Sequence, residues 1–282
     1  MFDNYVFPIV LLTFTGLLCS VMLAVASKFM SVQVDERATK VRECLPGANC
    51  GACGFAGCDD YAKKLCEGAP TNLCVPGGDS AAKKIADILG VEFEDVKEKY
   101  AIVRCNSDCA ESGYLMDYHG QESCAAASMF FAGRGKCSYG CTGYGDCVAV
   151  CKYDAIHIVD GVARVDKMKC AGCGLCAKAC PKHLIDIINY TNDVYVACMN
   201  KDKGVETRKQ CKNGCIGCKK CERTCPNGAI AVTDNLAAVD QSKCVSCGLC
   251  VAVCPTNAIR TCLDPKQTTP PPAEEKAEEQ TA

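Results

Sequence analysis

Two stretches near the C-terminus, CIGCKKCERTCP from Cys215 and CVSCGLCVAVCP from Cys244, share the spacing C-x2-C-x2-C-x3-C-P. Three thiolates at that spacing crowd around one point and suit an iron-sulfur cluster. In bacterial two-cluster ferredoxins the fourth cysteine of each run serves the other cluster. The expected ligand sets are therefore crossed. Cys215, Cys218, Cys221 and Cys254 form one, and Cys244, Cys247, Cys250 and Cys225 form its neighbour. The proline after each run keeps the chain from continuing as a helix.

The same pattern occurs once more upstream. Positions 74 residues apart match without gaps, so that Cys124, Cys137, Cys141, Cys147, Cys151, Cys170, Cys173, Cys176 and Cys180 fall on Cys198, Cys211, Cys215, Cys221, Cys225, Cys244, Cys247, Cys250 and Cys254. The run CAGCGLCAKACP gives Cys170, Cys173 and Cys176, with Cys151 as their crossed fourth ligand. Its partner, CTGYGDCVAVC, keeps Cys141 and Cys147 and would share Cys180, but Tyr144 stands where Cys218 stands in the second repeat. Cys137, in the glycine-flanked loop GRGKCSYGC, is the expected replacement. A three-ligand or lost cluster is the other reading.

A further four-cysteine group lies nearer the N-terminus. Cys50, Cys53 and Cys58 sit in a glycine-rich loop, and Cys74 arrives from beyond a short polar helix. Four thiolates also suit structural zinc, but the uneven spacing and the company of ferredoxin runs favour 4Fe-4S. Cys44 and Cys66 are read as spare. Asp79 is placed as the cap of the helix SAAKKIADILG, which ends at Gly90. Five 4Fe-4S clusters are therefore expected. Cys105, Cys109 and Cys124 are either part of a sixth or inert thiols, while Cys198, Cys211 and Cys262 are read as packed thiols.

The elements that position these groups follow from composition. Cysteine makes up 29 of 282 residues, which leaves a choice between a disulfide scaffold and a metal protein. The clustered spacing selects metal and with it a reducing compartment. A net charge of −2 with no basic block excludes nucleic acid as a partner. No dinucleotide fingerprint, phosphate loop or hydrolase motif occurs, so no nucleotide or flavin is expected in this chain.

From Asn4 to Ser27 the chain carries no charge, long enough as a helix to cross a bilayer. A signal peptide ending at Ala24-Val25-Ala26 competes with this, but no Lys or Arg precedes the apolar run. Lys28, Arg37, Lys40 and Arg42 follow it, which sets the clusters on the cytoplasmic side of a single span.

The expected fold class is α+β. A transmembrane anchor (1–30) and a linker (31–43) lead to an iron-sulfur module (44–78), a helical linker (79–100) and a cysteine-containing connector (101–136). Two ferredoxin-like domains (137–190 and 211–262) follow, joined by a linker (191–210), and the tail (263–282) is rich in Pro, Glu and Ala and expected to be disordered.

An anchor, then CGACGFAGC with Cys74, then tandem ferredoxin modules including CSYGCTGYGDC, resembles the Rnf complex's electron-entry component, RnfB, in the longer form of anaerobic bacteria. The resemblance reaches to about Cys254. It implies a subunit of a ferredoxin:NAD+ oxidoreductase that moves Na+ or H+ across the cytoplasmic membrane, with soluble ferredoxin as electron donor and other Rnf subunits as partners. Polyferredoxins of hydrogenase or reductase complexes share the ferredoxin runs without needing the anchor and the Cys50 module. A metal store would share the cysteines without electron transfer.

Overall fold

The computed structural model describes residues 3–29, 35–107 and 113–262. Cys109 and the 263–282 tail lie outside them. Helix α1 (Asp3–Phe29) contains one segment, Val6–Lys28, long and apolar enough to cross a membrane, and none of it is buried in the protein. At 1.5 Å per residue it spans about 35 Å, more than a hydrocarbon core. Its hydroxyls turn back on its own backbone: Thr13 donates to the Val10 carbonyl at 2.9 Å and Ser20 to that of Leu17 at 2.8 Å. Such internal bonding is what a setting without water requires.

Three helices build the next module: α2 (Glu36–Cys44), α3 (Cys58–Cys66) and α4 (Gly78–Leu89). They pack Val41, Leu45, Tyr61, Leu65 and Ile85 into one core. Helix α4 closes at Gly90, a left-handed residue (φ 68°) whose N–H donates to the Ala86 carbonyl. Asp79 is not its cap. It lies inside the first turn, where its carboxylate accepts from the Val96 N–H at 2.9 Å and so pins the chain that leaves the helix.

The cysteine-rich half consists of two copies of one small α+β unit. In the first copy β2 (Ile156–Val159) pairs with β3 (Val162–Val165), and β1 (Lys99–Val103) pairs with β4 (Ile185–Asn189). In the second, β6 (Ile230–Thr233) pairs with β7 (Leu236–Val239), and β5 (Val194–Val196) with β8 (Ile259–Thr261). All four sheets are two-stranded and antiparallel. Two-stranded ribbons are marginal alone, so each pair of ribbons depends on the core between them. That core takes Ile156, Val162 and Ile185 in the first copy, and Ile230, Leu236 and Ile259 in the second, together with cysteines.

Strand pairing corrects the gapless repeat. Val103 pairs with Ile185 and Val196 with Ile259, positions 74 residues apart on β4 and β8. The residue two places beyond each strand is Cys105 in one copy and Cys198 in the other, so the structural counterpart of Cys198 is Cys105, not Cys124. Cys124 sits in an insertion that only the first copy carries, on the short helix α5 (Cys124–Ser128). Spacing alone hid this because the inserted segment brings a cysteine of its own into register.

Short helices α6 (Asp146–Ala149), α7 (Leu175–Ala179), α9 (Lys220–Thr224) and α10 (Leu249–Ala252) follow the cysteine loops, and α8 (Gly204–Gln210) joins the copies. Left-handed residues bend those loops back on themselves: Gly172 and Gly174, Gly217 and Lys219, Ser246 and Gly248, with Gly143 and Gly145 flanking Tyr144. Gly172 is also crowded, since a Cβ there would meet the Lys99 carbonyl oxygen of β1, whereas nothing lies near Gly248. Gly248→Ala therefore costs only left-handed strain, about 1–2 kcal/mol. Gly172→Ala adds a backbone collision and costs about 3 kcal/mol or more. Anaerobic guanidinium unfolding of the two variants measures the difference, and equal losses would refute it.

Candidate metal centres

Each of five cavities, 330–350 Å³ in volume, is ringed by four cysteines. Their near-equal size and identical donor set point to one kind of occupant. Among the described residues, no three Cys, His, Asp or Glu side chains converge closely enough to hold a single metal ion. Zinc would draw four sulfurs to about 2.3 Å of one point, whereas a 4Fe-4S cluster gives each sulfur its own iron. The donor sets fit the cluster. Burial pushes the thiols of Cys141, Cys147 and Cys176 up to about 12 and those of Cys198 and Cys221 to about 11, and neighbouring thiols push the same way. Thiolates in such cavities need a cationic occupant, and loading one releases their protons.

In the second copy one cavity is lined by Cys215, Cys218, Cys221 and Cys254, and the next by Cys225, Cys244, Cys247 and Cys250. Backbone amides donate to these sulfurs: Ala229 N–H to Cys225 Sγ at 3.3 Å and Ser246 N–H to Cys244 Sγ at 3.4 Å. Amide donors to sulfur are a means by which proteins hold and tune iron-sulfur clusters. Cys218 and Cys247 are exposed at the surface.

In the first copy Cys151, Cys170, Cys173 and Cys176 line one cavity. Ala155 N–H donates to Cys151 Sγ and Ala101 N–H to Cys170 Sγ, both at 3.4 Å. The other cavity gathers Cys141, Cys147 and Cys180, and its fourth cysteine is Cys124. Cys137, expected there, instead lines a separate cavity with Cys105, Cys198 and Cys211. The reason is the insertion. Asp146 at the start of α6 accepts from the N–H groups of Cys124 (2.9 Å) and Ala125 (3.1 Å) and from the Ser123 hydroxyl (3.2 Å), which fixes α5 over the cavity.

Tyr144 has a different task from the ligand it replaces. Arg134 lies over its ring at 4.5 Å and over that of Tyr114 at 4.3 Å, and Tyr118 meets it edge-on at 5.9 Å. The residue that breaks the ligand run thus anchors the insertion that carries Cys124. Only the spare cysteine, a weak signal, hinted at this in the sequence.

The N-terminal module brings Cys50, Cys53, Cys58 and Cys74 near one another. Burial first, then Cys58, Cys50 and Cys53, push the Cys74 thiol up to about 11. Asn49 shapes the loop by accepting from the Cys58 N–H at 2.9 Å. Stacking of Phe55 on Tyr61 at 5.2 Å, with the Tyr61 hydroxyl donating to the Pro70 carbonyl at 2.7 Å, closes it. The module docks on the first copy through Lys178 to the Cys50 carbonyl at 2.8 Å and Lys152 to the Ala48 carbonyl at 3.2 Å. Ala48, Cys50 and Cys173 share one apolar contact, covered by Tyr153 and Leu175. Cys44 and Cys66 are half-buried outside these cavities, and Cys262 packs against Tyr100 with a hydrogen bond between them.

Family models agree with this division. One described as a putative Fe-S cluster matches residues 45–76, and two described as 4Fe-4S dicluster domains match 169–229 and 214–258. The 169–229 match joins a run of the first copy to a run of the second, although the fold pairs each with cysteines of its own copy. The chain is 42% identical over 245 residues to the RnfB-type component of the Na(+)-translocating ferredoxin:NAD(+) oxidoreductase complex of Acetobacterium woodii, covering 86% of this chain and 74% of that one. It is 44% identical to the corresponding component of the ion-translocating oxidoreductase complex of Methanosarcina acetivorans, over 81% of this chain and 87% of the relative. It is 40% identical to that of the proton-translocating ferredoxin:NAD(+) oxidoreductase complex of Clostridium ljungdahlii, over 85% and 86%.

A cluster held by Cys124, Cys141, Cys147 and Cys180 sets a specific requirement. Cys124→Ser loses about four irons per chain, and adding Tyr144→Cys, which completes the C-x2-C-x2-C run, restores them. Asp146→Ala leaves every thiol in place yet lowers occupancy of that one cluster. Iron and sulfide assays on anaerobically purified chains check all three. Full iron in Cys124→Ser would remove it from the ligand set.

Proposed function

The chain belongs to the RnfB family of ion-translocating oxidoreductase complexes, and we propose that it is the electron-transfer subunit of a ferredoxin:NAD+ oxidoreductase of that kind. It has no catalytic site of its own and works as part of a translocase. Its substrate, in this reading, is the electron, taken from reduced soluble ferredoxin and delivered to other subunits.

Five ligand sets are assigned to 4Fe-4S clusters: Cys50, Cys53, Cys58 and Cys74; Cys151, Cys170, Cys173 and Cys176; Cys124, Cys141, Cys147 and Cys180; Cys215, Cys218, Cys221 and Cys254; and Cys225, Cys244, Cys247 and Cys250. Such clusters supply one-electron chemistry over roughly −700 to +450 mV, set by charge, hydrogen bonds and exposure. The chain's own residues supply the enclosure, the amide donors to sulfur and the spacing. The exposed cysteines Cys218 and Cys247, with Val245 and Leu249 also exposed beside them, make the second copy the face for a soluble donor.

The observation that carries this reading is the contact of Cys50 with Cys173, which sets the anchor-proximal module against the ferredoxin copies in one continuous series. Helix α1 then fixes that series to the cytoplasmic membrane as a single span. Arg37, Lys40 and Arg42 keep the cysteine-rich part in the cytoplasm.

In the assembled complex, Cys53→Ala leaves the ferredoxin copies reducible by ferredoxin but stops NAD+ reduction. Bleaching of the cluster absorbance alongside NADH formation separates the two, and unchanged NADH formation would take the module out of the path. A reporter fused after Ala282 is active only in the cytoplasm, and activity on the other side would reverse the topology.

A further inference from the structure

The cavity ringed by Cys105, Cys137, Cys198 and Cys211 lies at the join of the two copies, with two cysteines from each side. We propose that these four thiols hold a sixth 4Fe-4S cluster that belongs to neither ferredoxin module alone. The proposal rests on the reading that the thiol-ringed cavities hold such clusters.

Its first support is symmetry. Cys105 and Cys198 occupy the same place beyond β1 and β5, and Cys137 and Cys211 the same place ahead of the first cysteine loop of each copy. The hydrogen bonding repeats too. Cys141 N–H donates to Cys105 Sγ at 3.4 Å, and its counterpart Cys215 N–H donates to Cys198 Sγ at 3.3 Å. Each of those amides belongs to a ligand of an adjoining cavity, so the shared site sits one residue from a cluster set of each copy.

A second support is a buried donor aimed at sulfur. Asn200, only 1% exposed, reaches from the second copy to donate its side-chain N–H to Cys137 Sγ of the first at 3.5 Å, and its backbone N–H donates to Cys198 Sγ at 3.4 Å. Burying an amide to serve a neutral thiol would return little, since charge-assisted hydrogen bonds are about twice as strong as neutral ones. Asn106, also buried, ties the join by donating to the Asn257 carbonyl at 3.2 Å and accepting on its own carbonyl from Asn213 at 2.9 Å. Cys105, Cys198 and Cys211 are themselves 9% exposed or less. The cavity contains no carboxylate or imidazole to compete as ligand.

The site places a one-electron carrier between the modules, where the five assigned sets leave a gap. It also reverses the expectation that Cys211 is a packed thiol and Cys137 a ligand of the neighbouring cluster.

The full chain, purified without oxygen in detergent, is assayed for iron, acid-labile sulfide and zinc, with electron paramagnetic resonance of the reduced protein. The expected content is about 24 irons per chain. Cys198→Ser and Cys211→Ser each lose about four irons and one spectral component, while Cys262→Ser, a buried cysteine outside every set, loses none. A wild-type content of about 20 irons with no loss in the variants overturns the sixth site and leaves the five standing. One bound zinc that the variants lose overturns it as well. A wild-type content well below 20 sinks the five-set reading, and the sixth site then stands or falls on whether Cys211→Ser still loses about four irons. If the serine variants do not accumulate, the wild-type count alone decides.

Discussion

Enclosing anionic sulfur in apolar cavities is the constraint on which the cysteine-rich half depends. A buried thiolate without a partner is costly, and the chain meets that cost with the occupant's charge and with backbone N–H groups turned onto sulfur. The turning requires left-handed residues at close intervals, which explains why glycine recurs beside the cysteines and why Lys219 and Ser246 accept a conformation unusual for their types. The ribbons are short because the loops take most of the chain. Their cores are small because the cysteines fill part of the volume that leucine and valine fill elsewhere.

That constraint also explains what was legible in the sequence. Where three ligands lie within seven residues, as at Cys170 to Cys176 or Cys244 to Cys250, spacing alone names the residues the fold gathers, because local geometry leaves no alternative. The crossed fourth cysteines, Cys151 and Cys225, follow from the ferredoxin pattern. The apolar anchor and the helix ending at Gly90 are local signals as well.

Illegible were the relations that arise only in three dimensions. Cys124 and Cys137 both lie upstream of the interrupted run, and Cys137 is nearer, so proximity selected it. The fold decides otherwise because Asp146 grips the backbone at Cys124 and Tyr144 holds the insertion through Arg134. Cys105 and Cys198 were hidden by a register that matched perfectly and was displaced upstream by an insertion. Asp79 read as a cap because it precedes the helix's apolar residues, yet its carboxylate serves Val96.

Exposure of Cys218 and Cys247 at the outer end of the second copy has a further consequence. A surface open enough to bring a soluble protein's redox centre near these sulfurs is also open to dissolved oxygen, and susceptibility to oxidation follows exposure and thiolate character. Air should therefore damage the molecule from its far end inward, destroying first the two centres that face solvent while those nearer the membrane survive. The place that admits fuel is the place where the molecule first rusts.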